Sequence, residues 1–326
     1  MREAPALITA FVAIGLVVAI GLLSDSQHML TLTVQTMILA ALASSWNILG
    51  GFAGQISLGH AAFFGLGALI TRELWLGGTA LGVAMAAAVG VTAVAAAIAG
   101  IPMLRFRDIY FAIGTLALGV AVFLTAGNLW PGISSLPADA LRNYDFIGPY
   151  FVAFGVLLVT VVVTLWLKHS KLGLGMMTVR EDEEAARATG VNAFAHKMTA
   201  FVISAALAAL AGGAFAYFSV SYFPNFAFSV IWTFEAILVV FIGGIGTIIG
   251  PLLGSIFFIV GRDLMPTDVG ELQVVFFGLL FIIVVLLLPG GLTEAAERLV
   301  TRPGRRKQTT GVGEETATKG RNRDET

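Results

Sequence analysis

Ten hydrophobic segments follow one another along the chain, at about 5–23, 30–49, 58–76, 79–101, 109–128, 149–167, 198–219, 232–249, 250–264 and 271–288. All but 250–264 reach the roughly 17–25 residues that a helix needs to cross a hydrocarbon core of about 30 Å. Inside that core every backbone donor and acceptor must be satisfied within the protein, which leaves helices and closed barrels. A barrel would show alternation in segments of roughly ten residues, and none is present. Only 12% of the residues are charged and 57% are hydrophobic, against about 25% charged in soluble domains. The expectation is an all-α, polytopic helical membrane protein with 8–10 transmembrane segments, 250–264 being short for a full crossing. The first segment follows Met-Arg-Glu-Ala, is long for a signal peptide, and reads as a retained span. Two nearly uncharged, Gly-rich junctions, 50–58 and 243–251, read as breaks within the membrane rather than as ordinary loops.

Several function classes drop out. The net charge of −1 offers no electrostatic footprint for nucleic acid. With no cysteine there is no disulfide, thiol catalysis or Cys-based metal site. The four histidines, at 28, 60, 169 and 196, lack metal-ligand spacing. No G-x-x-x-x-G-K-[ST] loop occurs, so the chain carries no phosphate cradle of that type. Neither a cofactor nor a metal is expected, and no catalytic residue is assigned.

Basic residues near span ends orient the helices. Arg105 and Arg107, then Lys168, Lys171, Arg180, Arg187 and Lys197, then Arg298, Arg302, Arg305, Arg306 and Lys307 fall on one side if ten segments cross. The opposite loops hold few: Arg72, Arg142 and Arg262. Both termini and residues 168–197 are therefore expected in the cytoplasm. Residues 1–292 form the expected membrane domain, and 293–326 a polar tail too poor in large apolar residues to bury a core.

Residues 168–197 are the one long charged island between apolar spans. Gly173 and Gly175 are read as loosening the exit from the membrane. Thr178, with Glu181 three residues on, matches a capping box. Acids at 181–184 suit the start of a helix. Ala185, Ala186 and Ala188 leave a small, smooth face, and Gly190 fits a C-terminal cap. The plain reading is a solvated loop helix. The sharper one is a docking element for a soluble partner, with Arg187 and the acids fixing register.

Inside the membrane, polar groups need partners or water. Asn47, Gln55, Ser57 and His60 lie in the Gly-rich stretch, Tyr110 and Thr115 in the fifth segment, and Glu235 beside the Gly243–Gly244 junction segment. They are candidates for the translocation pathway or its close-packed core. Holding helices together is at least as good a reading for each, His60 being a neutral packing histidine in that case and Glu235 an interfacial acid.

Glu184, Ala185, Ala186 and Gly190 resemble the E-A-A-x-x-x-G motif of permease subunits in bacterial ABC importers. The stretch N-I-L-G-G-F-A-G-Q-I-S-L-G-H-A-A-F-F-G-L-G-A, from Asn47 to Ala68, resembles the signature of branched-chain amino acid ABC transporter permeases, most closely their second permease subunit. Arg107, Tyr110, Phe111, Ala112, Ile113, Thr115 and Leu116 match that family's R-x-x-Y-F-A-I-x-T-L-A stretch, and Phe234 to Gly250 its Glu-containing span into G-G-x-G. The resemblance covers about 30–292. It implies an ABC importer permease fold in a bacterial inner membrane. It also implies a second, homologous permease subunit, two cytoplasmic ATPase subunits docked on Glu184, Ala185, Ala186, Arg187 and Gly190, and an extracytoplasmic solute-binding protein. The implied cargo is a branched-chain or related amino acid. One stretch departs: Asn128 to Pro137 reads N-L-W-P-G-I-S-S-L-P where the family commonly has T-G-G-x-x-G. That keeps an amide, urea or organic acid open as the cargo. The rival classes are an ion-coupled secondary transporter using Glu235, and a membrane protein that only assembles others.

Overall fold

In the computed structural model, residues 26–130 and 147–265 are described, with isolated positions at 15, 134–135, 278–279, 282 and 291–293. The expected segments 5–23 and 271–288, the tail, and nearly all of the departing stretch beyond Trp130 lie outside the described residues.

The described chain is helical. Helix α1 (Gln27–Asn47) runs into a π-helical turn, Ile48–Phe52. It is followed by α2 (His60–Leu76), α3 (Leu81–Met103), α4 (Ile109–Leu129) and α5 (Ile147–His169). The island forms α6 (Lys171–Glu181) and α7 (Glu183–Ala188). Then come α8 (Ala193–Phe218), the short α9 (Pro224–Ala227), α10 (Ile231–Gly243) and α11 (Gly250–Asp263). Among the described residues the only strands are a two-residue ladder, Ser134 and Ser135 against Tyr222 and Ser221.

Among the described residues, six helical stretches are long and apolar enough to cross a membrane: 27–52, 81–103, 109–129, 147–169, 193–218 and 224–243. This is an all-α, multi-pass membrane protein. Helix α2 is mostly apolar but 17 residues long, just under that length.

Burial sorts the helices. From Val34 to Phe52, apart from a partly exposed Gln35, α1 and its π-helical turn are enclosed on all sides, and α8 is nearly so. A helix apolar all round belongs at the centre of a bundle. Helix α1 packs against α5, α8, α10 and α11, while α8 also carries α2 and α3. Small residues set the distance: a Cβ on Gly67 would run into the Ala209 backbone, and one on Gly212 into the Phe64 carbonyl. Such close approach is how membrane helices associate without a hydrophobic drive. Helices α3 and α4 lie at the periphery and expose Val83, Val91, Val94, Ile98, Ile113 and Leu124, an apolar outer face suited to lipid or to another membrane protein.

Helices α10 and α11 form an antiparallel hairpin. Gly243 meets Gly250 at one end, and Glu235 lies 3.7 Å from Arg262 at the other. With 14 residues, α11 is only about 21 Å long, short of the hydrocarbon core, as the length of 250–264 foretold. The connection 244–249 lies against the π-helical turn after α1. Both Gly-rich junctions are therefore breaks in the helices, and they meet each other.

Candidate functional site

The breaks come together as a crease. Past Phe52 the chain turns back through non-helical residues 53–59 before entering α2. Backbone leaving a helix at membrane depth has orphan donors and acceptors that no water can relieve. The polar residues of the stretch answer that need. Asn47 donates through Nδ2 to the Thr247 carbonyl at 2.7 Å and accepts at Oδ1 from Gly246 N–H at 2.8 Å, joining the two breaks. Trp46 Nε1 donates to the Ser57 carbonyl at 2.8 Å. Thr115 Oγ1, from α4, accepts from Leu58 N–H at 3.1 Å. Thr233 Oγ1, from α10, accepts from Ala61 N–H at 2.8 Å. Thr247 Oγ1 accepts from Gly250 N–H at 3.0 Å and so starts α11.

His60 is fully buried, with Nε2 3.1 Å from Ser45 Oγ and its ring edge-on to Phe63. Among the described residues, Ser57 Oγ and His60 Nδ1 are the buried side-chain atoms of this crease without a hydrogen-bond partner. Asn47, Gln55, Ser57, His60, Thr115, Gly243 and Gly244 thus gather at or beside the crease. Two candidates do not. Tyr110 is 69% exposed on the outer face of α4, so its side chain is no part of this chain's core. Glu235 sits at the far end of the hairpin and faces Arg262, which also donates to Gln35 Oε1 at 2.7 Å.

The second half of the site is the island, and several sequence expectations are corrected there. Thr178 caps nothing: it lies within α6, its hydroxyl bonded back to the Leu174 carbonyl at 2.9 Å. Ser170 caps α6 by accepting from Gly173 N–H at 3.1 Å. Asp182 caps α7, its Oδ1 accepting from Glu184 N–H and Ala185 N–H at 2.9 and 3.0 Å. Gly173 and Gly175 do not loosen the chain. They are helical and tightly packed, against the Leu167 carbonyl and the His196 ring. Ala186 is not on the exposed small face. Its side chain is buried in a cluster with Val179 and Ala193, while Glu184, Ala185, Arg187, Ala188 and Gly190 stay exposed.

Gly190 does end α7 as expected. With φ of 87° it adopts the left-handed conformation, Gly190 N–H donates to Arg187 O, and Val191 N–H donates to Ala186 O. That pair of bonds is the Schellman closure, which favours glycine at this position. Asn192 caps α8, its Oδ1 accepting from Ala195 N–H at 3.0 Å. The apolar helix therefore starts at Ala193, ahead of the span's expected start at Met198.

Glu183 ties α7 to α8. Its carboxylate meets Lys197 Nζ and the Arg187 guanidinium, each at 2.5 Å. Burial pushes this carboxyl up, but the hydrogen bond and charge of Lys197, then the charge and hydrogen bond of Arg187, outweigh it and hold Glu183 below its ordinary range. A polar cavity of about 230 Å³ separates the island from the crease, lined by Gly54, Gln55, Arg107, Asp108, Arg180 and Lys197 among others. Arg107 and the island are thus on one side of the molecule, as the distribution of basic residues required.

The sequence reading used Arg72 and Arg180 only to orient the spans and missed their bonding roles. Arg72 is fully buried and donates to the carbonyls of Ala216, Ser219 and Val220 at 2.9, 3.0 and 3.2 Å, neutralising the C-terminal end of α8. Arg180 reaches from α6 to the Gly51 carbonyl. A cation within an apolar helix, and one beside a Gly-rich break, were the available signals.

Residues 28–285 match the family described as the permease component of the branched-chain amino acid transport system. The chain is 30% identical over 307 residues to the high-affinity branched-chain amino acid transport system permease protein LivM of Escherichia coli K12, covering 82% of this chain and 69% of that protein. It is 29% identical over 270 residues to the autoinducer 2 import system permease protein LsrC of an Enterobacter species, covering 78% and 77%. To LivH of E. coli K12 it is 25% identical over 285 residues, covering 79% and 92%. No solved structure matches the chain significantly.

Proposed function

The chain belongs to the permease family of the branched-chain amino acid transport system, and we propose that within an ATP-driven importer it receives its driving motion through α7. The complete assembly would hold a second, homologous permease, two cytoplasmic ATPase subunits and an external solute-binding protein, in a bacterial inner membrane. Both termini and the 168–197 loop face the cytoplasm, residues 1–292 form the permease domain, and 293–326 form the tail. ATP is hydrolysed on the partner subunits. The ATPases' differential affinity for two arrangements of α7 drives the switch from outward to inward access.

One observation carries this reading. A six-residue helix is too short to persist alone, yet α7 is capped at both ends, clamped by Glu183 and Lys197, and still presents Glu184, Ala185, Arg187 and Ala188 outward. A loop helix held that firmly with its small residues facing out suits a groove in another protein. The cargo we favour is a branched-chain or related amino acid. The likeness to LsrC supports a second reading, in which a related permease carries another small polar solute. The test is reconstitution of this permease with its four partner subunits in liposomes. Uptake must require ATP and the ATPases, and the ligand held by the binding protein assigns the cargo. Uptake by this chain alone, driven by an ion gradient, would refute the proposal.

A further inference from the structure

The island and the membrane crease are joined through one side chain. Arg180 stands in the last turn of α6, two residues before Asp182, which ends α6 and caps α7. Its Nη1 donates to the carbonyl of Gly51, inside the π-helical turn that follows α1. Carbonyls at a helix C-terminus carry partial negative charge and lack intrahelical partners, so a guanidinium is well matched to them. The surroundings are shaped around that side chain. Gly54 has φ of 69°, and a Cβ there would lie 2.9 Å from Arg180 Cγ. A Cβ on Gly246 would lie 2.9 Å from Arg180 Nη1. Gly51 in turn packs on Gly246, which Asn47 binds. The guanidinium therefore touches both breaks where they meet. The adjoining polar cavity gives the side chain space to move.

Resting on the reading of α7 as the ATPase dock, we propose that Arg180 is the positioning residue that carries displacement of the docking helix into the crease formed by 47–54 and 243–247. A push on α7 moves Asp182 and, with it, the end of α6. Arg180 then shifts the Gly51 carbonyl, and Gly246 and the α10–α11 hairpin follow through Asn47. The hydrogen bonds involved run from side chain to backbone, so they can exchange partners without unwinding a span. A second arrangement of this kind is what a switch needs.

The test uses the full importer in proteoliposomes, with uptake and ATP hydrolysis measured on the same vesicles. Arg180→Gln removes the charge, and Arg180→Lys keeps it with a shorter reach. The expected result for Arg180→Gln is intact assembly, hydrolysis within about twofold of wild type, and uptake lower by roughly tenfold or more. ATP consumed per solute then rises, and Arg180→Lys restores part of the ratio. Gly54→Ala, which crowds the Arg180 stem from the opposite wall, should uncouple in the same way and keeps the test open if Arg180→Gln fails to assemble. A purely structural role would lower assembly, hydrolysis and uptake together in both variants, and that outcome overturns the proposal. So does an unchanged ATP-to-solute ratio in both Arg180→Gln and Gly54→Ala. Wild-type uptake that needs no ATPase overturns the docking reading itself, which separates the two failures.

Discussion

Ala185 and Ala186 are neighbours on α7 with opposite environments, and substituting each by leucine separates holding the docking helix from using it. Ala186 is 0% exposed and packs on Val179 and Ala193, while Ala185 is exposed. What holds α7 is modest. The Asp182 cap contributes about 1 kcal/mol, the buried Ala186 methyl roughly 1 kcal/mol, and the partly exposed Glu183 ion pairs up to about 1 kcal/mol. The local total is on the order of 3 kcal/mol. Three extra carbons at 186 have no space and should cost about 1–3 kcal/mol, a large share of that total. The assay is hydrogen exchange of the amides of 184–191 in the purified permease. Ala186→Leu should speed exchange by roughly 5–150-fold, and ATPase retention should fall because the helix is no longer formed. Ala185→Leu should leave exchange within about twofold while weakening ATPase retention through a direct clash. Wild-type exchange in Ala186→Leu would show that burial of this alanine does not hold the helix. Normal ATPase retention in Ala185→Leu would remove the exposed face as the docking surface.

Further predictions address the groups that hold the frame. Arg72→Met leaves three carbonyls at the end of α8 without their donor and should cost about 3 kcal/mol, read as a lower Tm in detergent; an unchanged Tm refutes the capping role. Thr115→Val keeps shape but takes the acceptor from Leu58 N–H, for a loss of about 1–3 kcal/mol. The same change at Thr125, whose exposed hydroxyl only bonds back to Ala121 O, should be close to neutral, and equal effects would remove the account of the crease. Because the Glu183 carboxyl is held below its ordinary value, its stabilisation of the island is complete above about pH 4.3 and is lost as pH falls through the lowered value. Protection at 184–191, taken as exchange relative to the intrinsic rate at each pH, should therefore fall on acidification in wild type and show no such step in Glu183→Gln.

How far the sequence was readable depended on how local each cause is. Span lengths and the two uncharged Gly-rich breaks are local properties, and both appear in the fold. So does the Gly190 cap, because a left-handed residue closing a helix is written in two or three positions. The N-terminal cap of α7 was misplaced because Thr178 and Asp182 can both cap. The choice between them lies in whether 171–181 is already helical, and Ser170 makes it so. Burial of Ala186 had no local signal: Val179, Ala186 and Ala193 stand on three separate helices, α6, α7 and α8, and only the packing of those helices brings them together. The partners of Asn47 were out of reach, since Gly246 and Thr247 lie about 200 residues away. The exposure of Tyr110 was out of reach for a related reason: a motif marks a residue as special without saying which face of the helix it takes.

The crease also bears on where cargo passes. Polar residues at membrane depth invite assignment to a substrate path, yet here most of them are committed to backbone left over where helices stop. Asn47, Thr115, Thr233 and Thr247 each hold an N–H or carbonyl of a break, and moving any of them to a solute would leave that group unpaired inside the protein. Polar side chains that can be drawn away from the break at less cost are Ser57 and His60, whose Oγ and Nδ1 are unpaired among the described residues, and Gln55 beside the polar cavity. The same bonds explain why the breaks persist. A continuous helix through 48–59 would satisfy its own backbone but leave Arg180 nothing to hold. An interrupted one presents carbonyls sideways, where a cation from the island can grip them. On the proposed route from α7 through Arg180, the break is where force enters, and the moving part would then be at Gly51 and Gly246 rather than along the straight, fully bonded spans.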